Sequence, residues 1–579
     1  MEFNVSIQSI LNEKVTSAIH QAGIQEEFNP AVRASTKPQF GDYQVNGLMG
    51  IAKRHKINPR ELATNVLTYL DLDNIAEKVE IAGPGFLNIF LKNEWLSSHI
   101  SSLFQENTLK MTAQKKQTIV VDYSAPNIAK EMHVGHLRTT IIGDCLVKVL
   151  DYLGHNVIRA NHIGDWGTPF GMLIAHLEDI ESNAKQHQQL SDLDMFYKEA
   201  QKKFKENEEF ANKARKYVSE LHNGNKKIIS QWKKLIDITM SQNQTLYNRL
   251  NISLSQENIM GESFYNPMLP EIVSDLLSKN IATKDQGATV VFLEEFKNRD
   301  GNPMGVIIQK KDGAYLYTTT DIACLKYRYE TLKADRILYC IDARQNQHLQ
   351  QIWAISKKAN YVSEDVSLEH IQNGMVLGDD GKPFKTRSGK TVKLLSLIDE
   401  SESRAYKLIK DKNPTLSDAE ITQMAKLIGG ASIKYAELSK SRTTDYIFNF
   451  DNMLSFTGNT APYLLYAYTR IQSILSKSNP NPLKQNYKFI ITNNIEKQIA
   501  LQVAQFEEVV KTVAKDGTPH ILCSYLFNLS GLFSSFYESN PILQENEEIK
   551  NSRLLLVQIV SIVMKTSLDL LGIESLNKM

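Results

Sequence analysis

Between Thr118 and Gly167 the chain passes from strand to helix to strand without interruption, and few folds accommodate that order. "TIVVDY" is a continuous apolar run suited to a strand covered on both faces. "GHLRTTIIGDCLVKVLDYLG" has helical periodicity and ends at Gly154, and "NVIRANHIGDWG" is a second strand that runs into a glycine-containing loop. Such a unit builds a parallel sheet, and ligands of parallel sheets collect beyond the carboxyl ends of the strands. The segment "SAPNIAKEMHVGH", Ser124 to His136, lies at such an end.

At 579 residues the chain exceeds what one hydrophobic core organises, so several domains are expected. Hydrophobic residues at 42% and charged residues at 23% are globular values and exclude a disordered or low-complexity chain. The net charge of +1 does not mark a nucleic-acid binder, so any RNA contact has to come from local basic faces. Cys145, Cys324, Cys340 and Cys523 are scattered and form no CxxC pair, which argues against a structural zinc site or a disulfide framework. "MEFNVSIQSILNEKV" lacks a basic start followed by an apolar run, and no apolar stretch is long enough to span a bilayer; the expected location is the cytoplasm.

Ile7, Leu11, Val15, Ala18, Ile19 and Ala22 form one helical stripe closed by Gly23. The helical pattern returns through "KPQFGDYQVNGLMGIAKRHKINPRELATNVLTYL", and "VEIAGPGFLNIFL" alternates like a strand around a Gly-Pro-Gly turn. Residues 1–110 are thus expected to be an α+β domain. Residues 111–454 are expected to be a doubly wound, Rossmann-like parallel α/β domain, whose second half runs from "ATVVFLEEF" through "GAYLYTTTDIACLKYRYE" to "RILYCIDARQNQHLQQIWAISKKA". A polar helical module is inserted at about 178–260, its charges read as a solvated face. Residues 455–579 show only helical periodicity and are expected to form an all-α bundle.

His133 and His136 are spaced i and i+3, so on one helix they share a face at its first turn. A helix N-terminus offers unpaired N–H groups and partial positive charge, and imidazoles donating from the same place suit a phosphate. Gly135 would let a flat group pack on bare backbone. The same pair could merely cap the helix, or could ligate a metal if a third ligand were present. Asp122 at the end of the strand, Pro126 and Asn127 in the loop, and Lys130 one turn before His133 together resemble a pocket wall.

"SAPNIAKEMHVGHLRTT" followed by "RANHIGDWGTPFGML" resembles the first signature region of class I arginyl-tRNA synthetases of the bacterial type. The likeness extends to "GPGFLNIFL", "YLYTTTDIA", "DARQNQH" and "NTAPYLLYAYTRI", and so covers nearly the whole chain. It implies attack of the arginine carboxylate on the α-phosphate of ATP, accompanied by Mg²⁺, and then transfer to the 3′-terminal ribose of tRNA-Arg, with no tightly bound metal and a monomeric enzyme. Positioning and electrostatics supply most of the acceleration in such displacements. By the same resemblance, His133 and His136 stabilise the phosphates, Gly135 lies beneath adenine, and Pro126, Asn127 and Lys385 complete the ATP site. Tyr317 and Asp321 recognise the guanidinium, a planar cation that carboxylates meet with paired hydrogen bonds. Asp122, Ser124, Asn127, His162 and Gln345 complete the arginine site, with Gln347 a neighbouring alternative to Gln345. "AYLYT" is read as a strand, with Asp321 at its end capping the next helix.

The second signature departs from the usual KMSKS: "GKPFKTRSGKTVKL" offers Lys385 and Lys390 to the leaving pyrophosphate, and Lys130 stands where a compensating lysine is expected. Pro169 replaces the family's usual glutamine. The N-terminal domain would touch the tRNA elbow and the bundle the anticodon region, where Tyr463, Tyr466, Tyr468 and Arg470 could either stack on bases or pack between helices. Three alternatives differ in what they require. An HxGH nucleotidylyltransferase needs neither the lysine loop nor the bundle, a cysteinyl-type synthetase needs zinc-spaced cysteines, and a non-catalytic tRNA-binding paralogue would lack parts of the first signature.

Overall fold

The computed structural model describes residues 6–35, 37–104, 111, 115–182, 192–298, 300–384, 392–478, 487–543, 546–576 and 578. The chain divides into two compact units, one of residues 113–455 with 570–574, the other of 1–112 with 456–569 and 575–579.

At the centre of the first unit is a four-stranded parallel sheet in the spatial order Ser367–His370, Arg336–Tyr339, Thr118–Asp122, Asn156–Ala160. Ile119, Val120 and Val121 are fully buried, as a central strand of a parallel sheet requires. The helix Val134–Tyr152 makes the crossover, and Gly154 takes φ +83° just past its end. Its Gly143 is sterically required, since a Cβ there would lie 2.3 Å from Cβ of Tyr123.

Two expectations for the second half-sheet are corrected. "ATVVFLEEF" is a strand, Ala288–Lys297, but it belongs to a separate three-stranded antiparallel sheet with Thr283–Asp285 and Pro303–Gln309. "AYLYT" is not a strand running up to Asp321: the helix Tyr317–Glu330 begins at Tyr317, with Leu316 as its N-cap. Asp321 is therefore inside the helix, one turn after Tyr317 and on the same face. The inserted module consists of the helices Leu193–Glu206, Glu208–His222 and Lys226–Arg249.

In the other unit the helix Ile7–Gln21 buries Ile7, Leu11, Val15, Ala18 and Ile19. The stretch that begins "KPQF" forms a single 3-10 turn, Pro38–Phe40, and then a strand, Tyr43–Val45, before its helices Leu48–His55 and Pro59–Tyr69. The sheet is antiparallel, in the order Val32–Ala34, Tyr43–Val45, Phe86–Leu91, Ala76–Ala82. Residues 456–569 contribute the helices Ala461–Ser476, Asn494–Ala504, Phe506–Asp516, Pro519–Ser539 and Glu547–Leu570, the last ending in the first unit. Among the described residues, no helix is long and apolar enough to cross a membrane.

Candidate active site

The loop between the central strand and its helix is held in an unusual backbone conformation. Ser124, Ala125 and Ala129 have φ of 74°, 46° and 58°, a region that non-glycine residues enter at a cost. Neighbouring elements supply the restraint. Asn161 Oδ1 accepts from the Ala125 N–H at 3.1 Å, and Thr239 Oγ1, on the inserted helix Lys226–Arg249, accepts from the Ala129 N–H at 3.1 Å. Tyr247 of the same helix accepts from Asn161 Nδ2 at 3.3 Å and pairs with the Ser124 hydroxyl at 2.7 Å. Pro126 accepts from the Gly164 N–H and Gly164 from the Ile128 N–H, both at 3.1 Å. This contact explains Gly164, where a Cβ would lie 2.4 Å from Asn127 Oδ1.

His133 is the N-cap of the helix and His136 its third residue, so only the second imidazole is helical. His133 Nδ1 accepts from the Gly135 N–H at 3.0 Å, and His136 Nδ1 from the His133 N–H at 3.2 Å. The capping role and the phosphate role are therefore compatible: with both Nδ1 atoms accepting, each neutral ring carries its proton on Nε2. Burial lowers the pKa of His136 to about 4, the neighbouring His133 acting in the same direction, and burial also lowers that of His133. Gly135 is needed beside the His133 ring, whose Cε1 would lie 2.8 Å from an added Cβ. Val392 accepts from the Val134 N–H at 3.1 Å and Met132 from the Leu394 N–H at 2.9 Å, which ties the chain at 392–394 to the histidine turn. Lys130 is exposed, with Nζ 4.6 Å from the centre of the Tyr197 ring. Lys385 and Lys390 lie outside the described residues.

Beyond the carboxyl end of the central strand lies a cavity of about 410 Å³, lined by Asp122, His162, Tyr317, Asp321 and Gln345 together with Glu262 and His348. Asp321 accepts from His348 Nε2 at 2.6 Å on one oxygen and faces His162 Nε2 at 3.5 Å on the other. Burial opposes its ionisation, but the two imidazoles outweigh burial and hold Asp321 at about 2. The same geometry raises His162 well above its ordinary value, since the bonds to Asp321 and Cys324 override the opposing effect of burial. Asp122 receives Arg328 Nη2 at 2.6 Å on one oxygen, while the other is buried without a hydrogen-bond partner among the described residues. Glu262 is pushed up to about 7, by burial first and then by Asp321 and Asp165. Three carboxyl groups thus border one cavity, that of Asp122 paired with Arg328 and that of Asp321 set between two imidazoles.

Gln345 lines this cavity, whereas Gln347 donates to the Met304 sulfur at 3.0 Å. Ser124, Pro126 and Asn127 are not among its lining residues: Ser124 is buried against Tyr247, and Asn127 sits against Gly164. Glu262 and His348 were not singled out from sequence. Nothing in the sequence marks Glu262, whose flanking residues hold it in place. A Cβ at Gly261 would lie 2.5 Å from Asp165, and Asp165 accepts from Ser263 N–H and Oγ at 2.9 and 2.6 Å. For His348 the signal was its place three residues beyond Gln345 on one helical face.

Comparison with known families matches residues 99–450 to the class I (R) tRNA synthetase catalytic domain, 464–579 to the DALR anticodon binding domain and 9–91 to the arginyl-tRNA synthetase N-terminal domain. An arginine–tRNA ligase of Shigella sonnei (strain Ss046) is 57% identical over 578 residues, covering 99% of this chain and 100% of the relative. One of Escherichia coli O8 (strain IAI1) is 56% identical over 577 residues, with the same coverage. The arginyl-tRNA synthetase of Plasmodium falciparum superposes with a TM-score of 0.86 at 30% identity, covering 99% of both chains. That of Thermus thermophilus shares the fold, with a TM-score of 0.83 at 22% identity over 99% of this chain and 100% of its own. With the histidine turn and the carboxylate-lined cavity both following the central strand, these matches across three successive segments mean that the chain belongs to the class I arginyl-tRNA synthetase family.

Proposed function

We propose that the protein activates L-arginine with ATP and transfers the arginyl group to the 3′ end of tRNA-Arg. The observation that carries this reading is the placing of Asp122, Glu262 and Asp321 around one cavity, at the end of the strand that leads into the turn bearing the paired imidazoles. L-Arginine has two cations, an ammonium and a guanidinium, joined by a short aliphatic chain. Asp321, with Tyr317 one turn before it and Glu262 across the cavity, meets the guanidinium; Asp122, through its unpaired oxygen, and Gln345 meet the ammonium. Ser124 and Asn127 act by shaping the loop. His162 keeps Asp321 ionised.

The arginine carboxylate oxygen attacks the α-phosphorus of ATP, the bond to the β-phosphate oxygen breaks and pyrophosphate leaves. A ribose hydroxyl of the tRNA then attacks the arginyl carbonyl and AMP leaves. His133 and His136 donate Nε2–H to phosphate oxygens as charge shifts toward the leaving group, and being uncharged they do not trap the product. Pro126, Asn127 and Gly135 border the adenosine, and Lys130, Lys385 and Lys390 receive the pyrophosphate. Mg²⁺ enters with ATP as its counter-ion.

Residues 1–110 meet the tRNA elbow, residues 111–454 carry the chemistry and residues 455–579 meet the anticodon. Tyr468 is buried and packs, whereas exposed Tyr466 lies under Arg470, whose guanidinium is 5.0 Å from its ring and 5.1 Å from that of Tyr537. That exposed group is the one suited to stacking on bases. The enzyme acts as a cytoplasmic monomer. The test is exchange of labelled pyrophosphate into ATP with each amino acid, with and without total tRNA. Exchange with arginine alone supports the reading, exchange with another amino acid overturns it, and exchange without any amino acid points to a nucleotidylyltransferase.

A further inference from the structure

Two residues beyond His136 the same helix buries a charged side chain that is not part of the cavity lining. Arg138 is 1% exposed. Its Nη1 donates to the Thr444 carbonyl at 2.8 Å, its Nε lies 3.1 Å from Glu437 Oε2, and its guanidinium is 5.3 Å from the centre of the Tyr446 ring. The Tyr446 hydroxyl donates to the other oxygen of Glu437. Thr444 and Tyr446 belong to a short segment that pairs elsewhere. Tyr446–Ile447 runs parallel to Val376–Leu377, with the Tyr446 N–H donating to Met375 O at 3.2 Å and the Phe448 N–H to Leu377 O at 2.9 Å. Val376 in turn accepts from the Phe384 N–H at 3.0 Å, which closes the turn 376–384. At Gly374 an added Cβ would lie 2.7 Å from the Thr444 carbonyl that Arg138 holds.

A buried arginine–glutamate pair contributes little stability relative to apolar residues of similar size, because both charges leave water. What this pair does supply is registry: one guanidinium sets a backbone carbonyl, a carboxylate and a ring at fixed places on the histidine-bearing helix. We propose that Arg138 is a positioning residue for activation, fixing the 376–384 turn, through Thr444, Glu437 and Tyr446, against the helix that carries His133 and His136. The inference rests on the activity proposed above. None of these residues lines the arginine cavity, so the effect falls on ATP.

Arg138→Met alone strands Glu437 in the interior and is expected to fold poorly. The informative variant is Arg138→Met with Glu437→Gln, which removes both charges and keeps an acceptor for Tyr446. In pyrophosphate exchange with tRNA present, the double variant should keep a near-normal melting temperature and arginine KM while its ATP KM rises about tenfold. In amide hydrogen exchange, Phe384, Tyr446 and Phe448 should lose protection while Ala125 and Glu262 keep theirs. An ATP KM within about twofold of the unaltered chain, or an equal rise in arginine KM, overturns the positioning role. So does unchanged protection at Phe384, Tyr446 and Phe448. Arginine-dependent exchange by the unaltered chain tests the activity itself, and the amide measurement needs no activity, so the two failures are distinguishable.

Discussion

Asp321 stands between two imidazoles and is ionised before any substrate arrives. An entering guanidinium therefore meets a carboxylate already charged and oriented. Replacing it with asparagine keeps the shape and removes the charge; losing one charge-assisted pair should raise arginine KM roughly ten- to a hundredfold, with ATP KM unchanged, in pyrophosphate exchange. A rise in ATP KM instead would move Asp321 out of the arginine site. Glu262 responds to pH. Its folded value of about 7 lies above the usual 4.5, so its contribution to stability is fully present below about 4.5 and is lost as pH rises through about 7. A bound cation reverses that preference and favours the ionised carboxyl. His162, raised well above its ordinary value, loses its proton at higher pH still and acts in the same direction by removing a competing positive charge. Arginine KM should thus fall as pH rises through about 7, and Glu262→Gln should flatten that part of the profile. A variant with the full slope would assign the titration to another group.

At the scale of elements, the inserted helix Lys226–Arg249 is structural support for the site, with Thr239 and Tyr247 bonded to the loop and Trp232 Nε1 donating to the Asp165 carbonyl at 2.8 Å. Tyr247→Phe leaves the Asn161 amide and Ser124 hydroxyl buried without that partner, a loss of about 1–3 kcal/mol that a urea titration would register as a lower midpoint. An unchanged midpoint would show that the loop holds its left-handed residues unaided. This dependence explains what sequence disclosed and what it withheld. The crossover helix, the strand ending at Asp122 and the histidine turn are local, and their apolar periods and glycines mark them. "AYLYTTTD" misleads because alternation and β-branched residues favour a strand, yet Thr318, Thr319 and Thr320 are buried in a helix, the Thr319 hydroxyl bonding the Ile308 carbonyl. "ATVVFLEEF" shows a strand but not its sheet, since pairing with Pro303–Gln309 is set by the returning chain. Glu262 and His348 reach the cavity from separate elements: spacing relates His348 to Gln345, but none relates either of them to Glu262.

The largest-scale feature is that one compact unit is assembled from both ends of the sequence. Within it, Glu508 of the helix Phe506–Asp516 accepts from the Tyr43 hydroxyl at 2.8 Å and the Gln8 N–H at 3.0 Å. Lys497 donates to Leu91 O at 3.2 Å and lies 3.2 Å from Asp42. Residues far apart in the chain are thus joined by polar contacts, and one of these carries a titratable group out of water. Burial pushes Glu508 up to about 7, against the hydrogen bonds from Tyr43 and Gln8 that lower it. Since the folded value exceeds the usual 4.5, this group's stabilising contribution is complete below about 4.5 and declines as pH rises to about 7, above which the charged form bears the full cost of burial. Glu508→Gln keeps an acceptor for both donors and cannot ionise. Relative to the unaltered chain, its thermal midpoint should therefore rise between about pH 4.5 and 7 and hold a constant advantage above that. A midpoint difference that stays flat across this range would mean that Glu508 is ionised in the folded unit throughout, with Tyr43 and Gln8 outweighing burial.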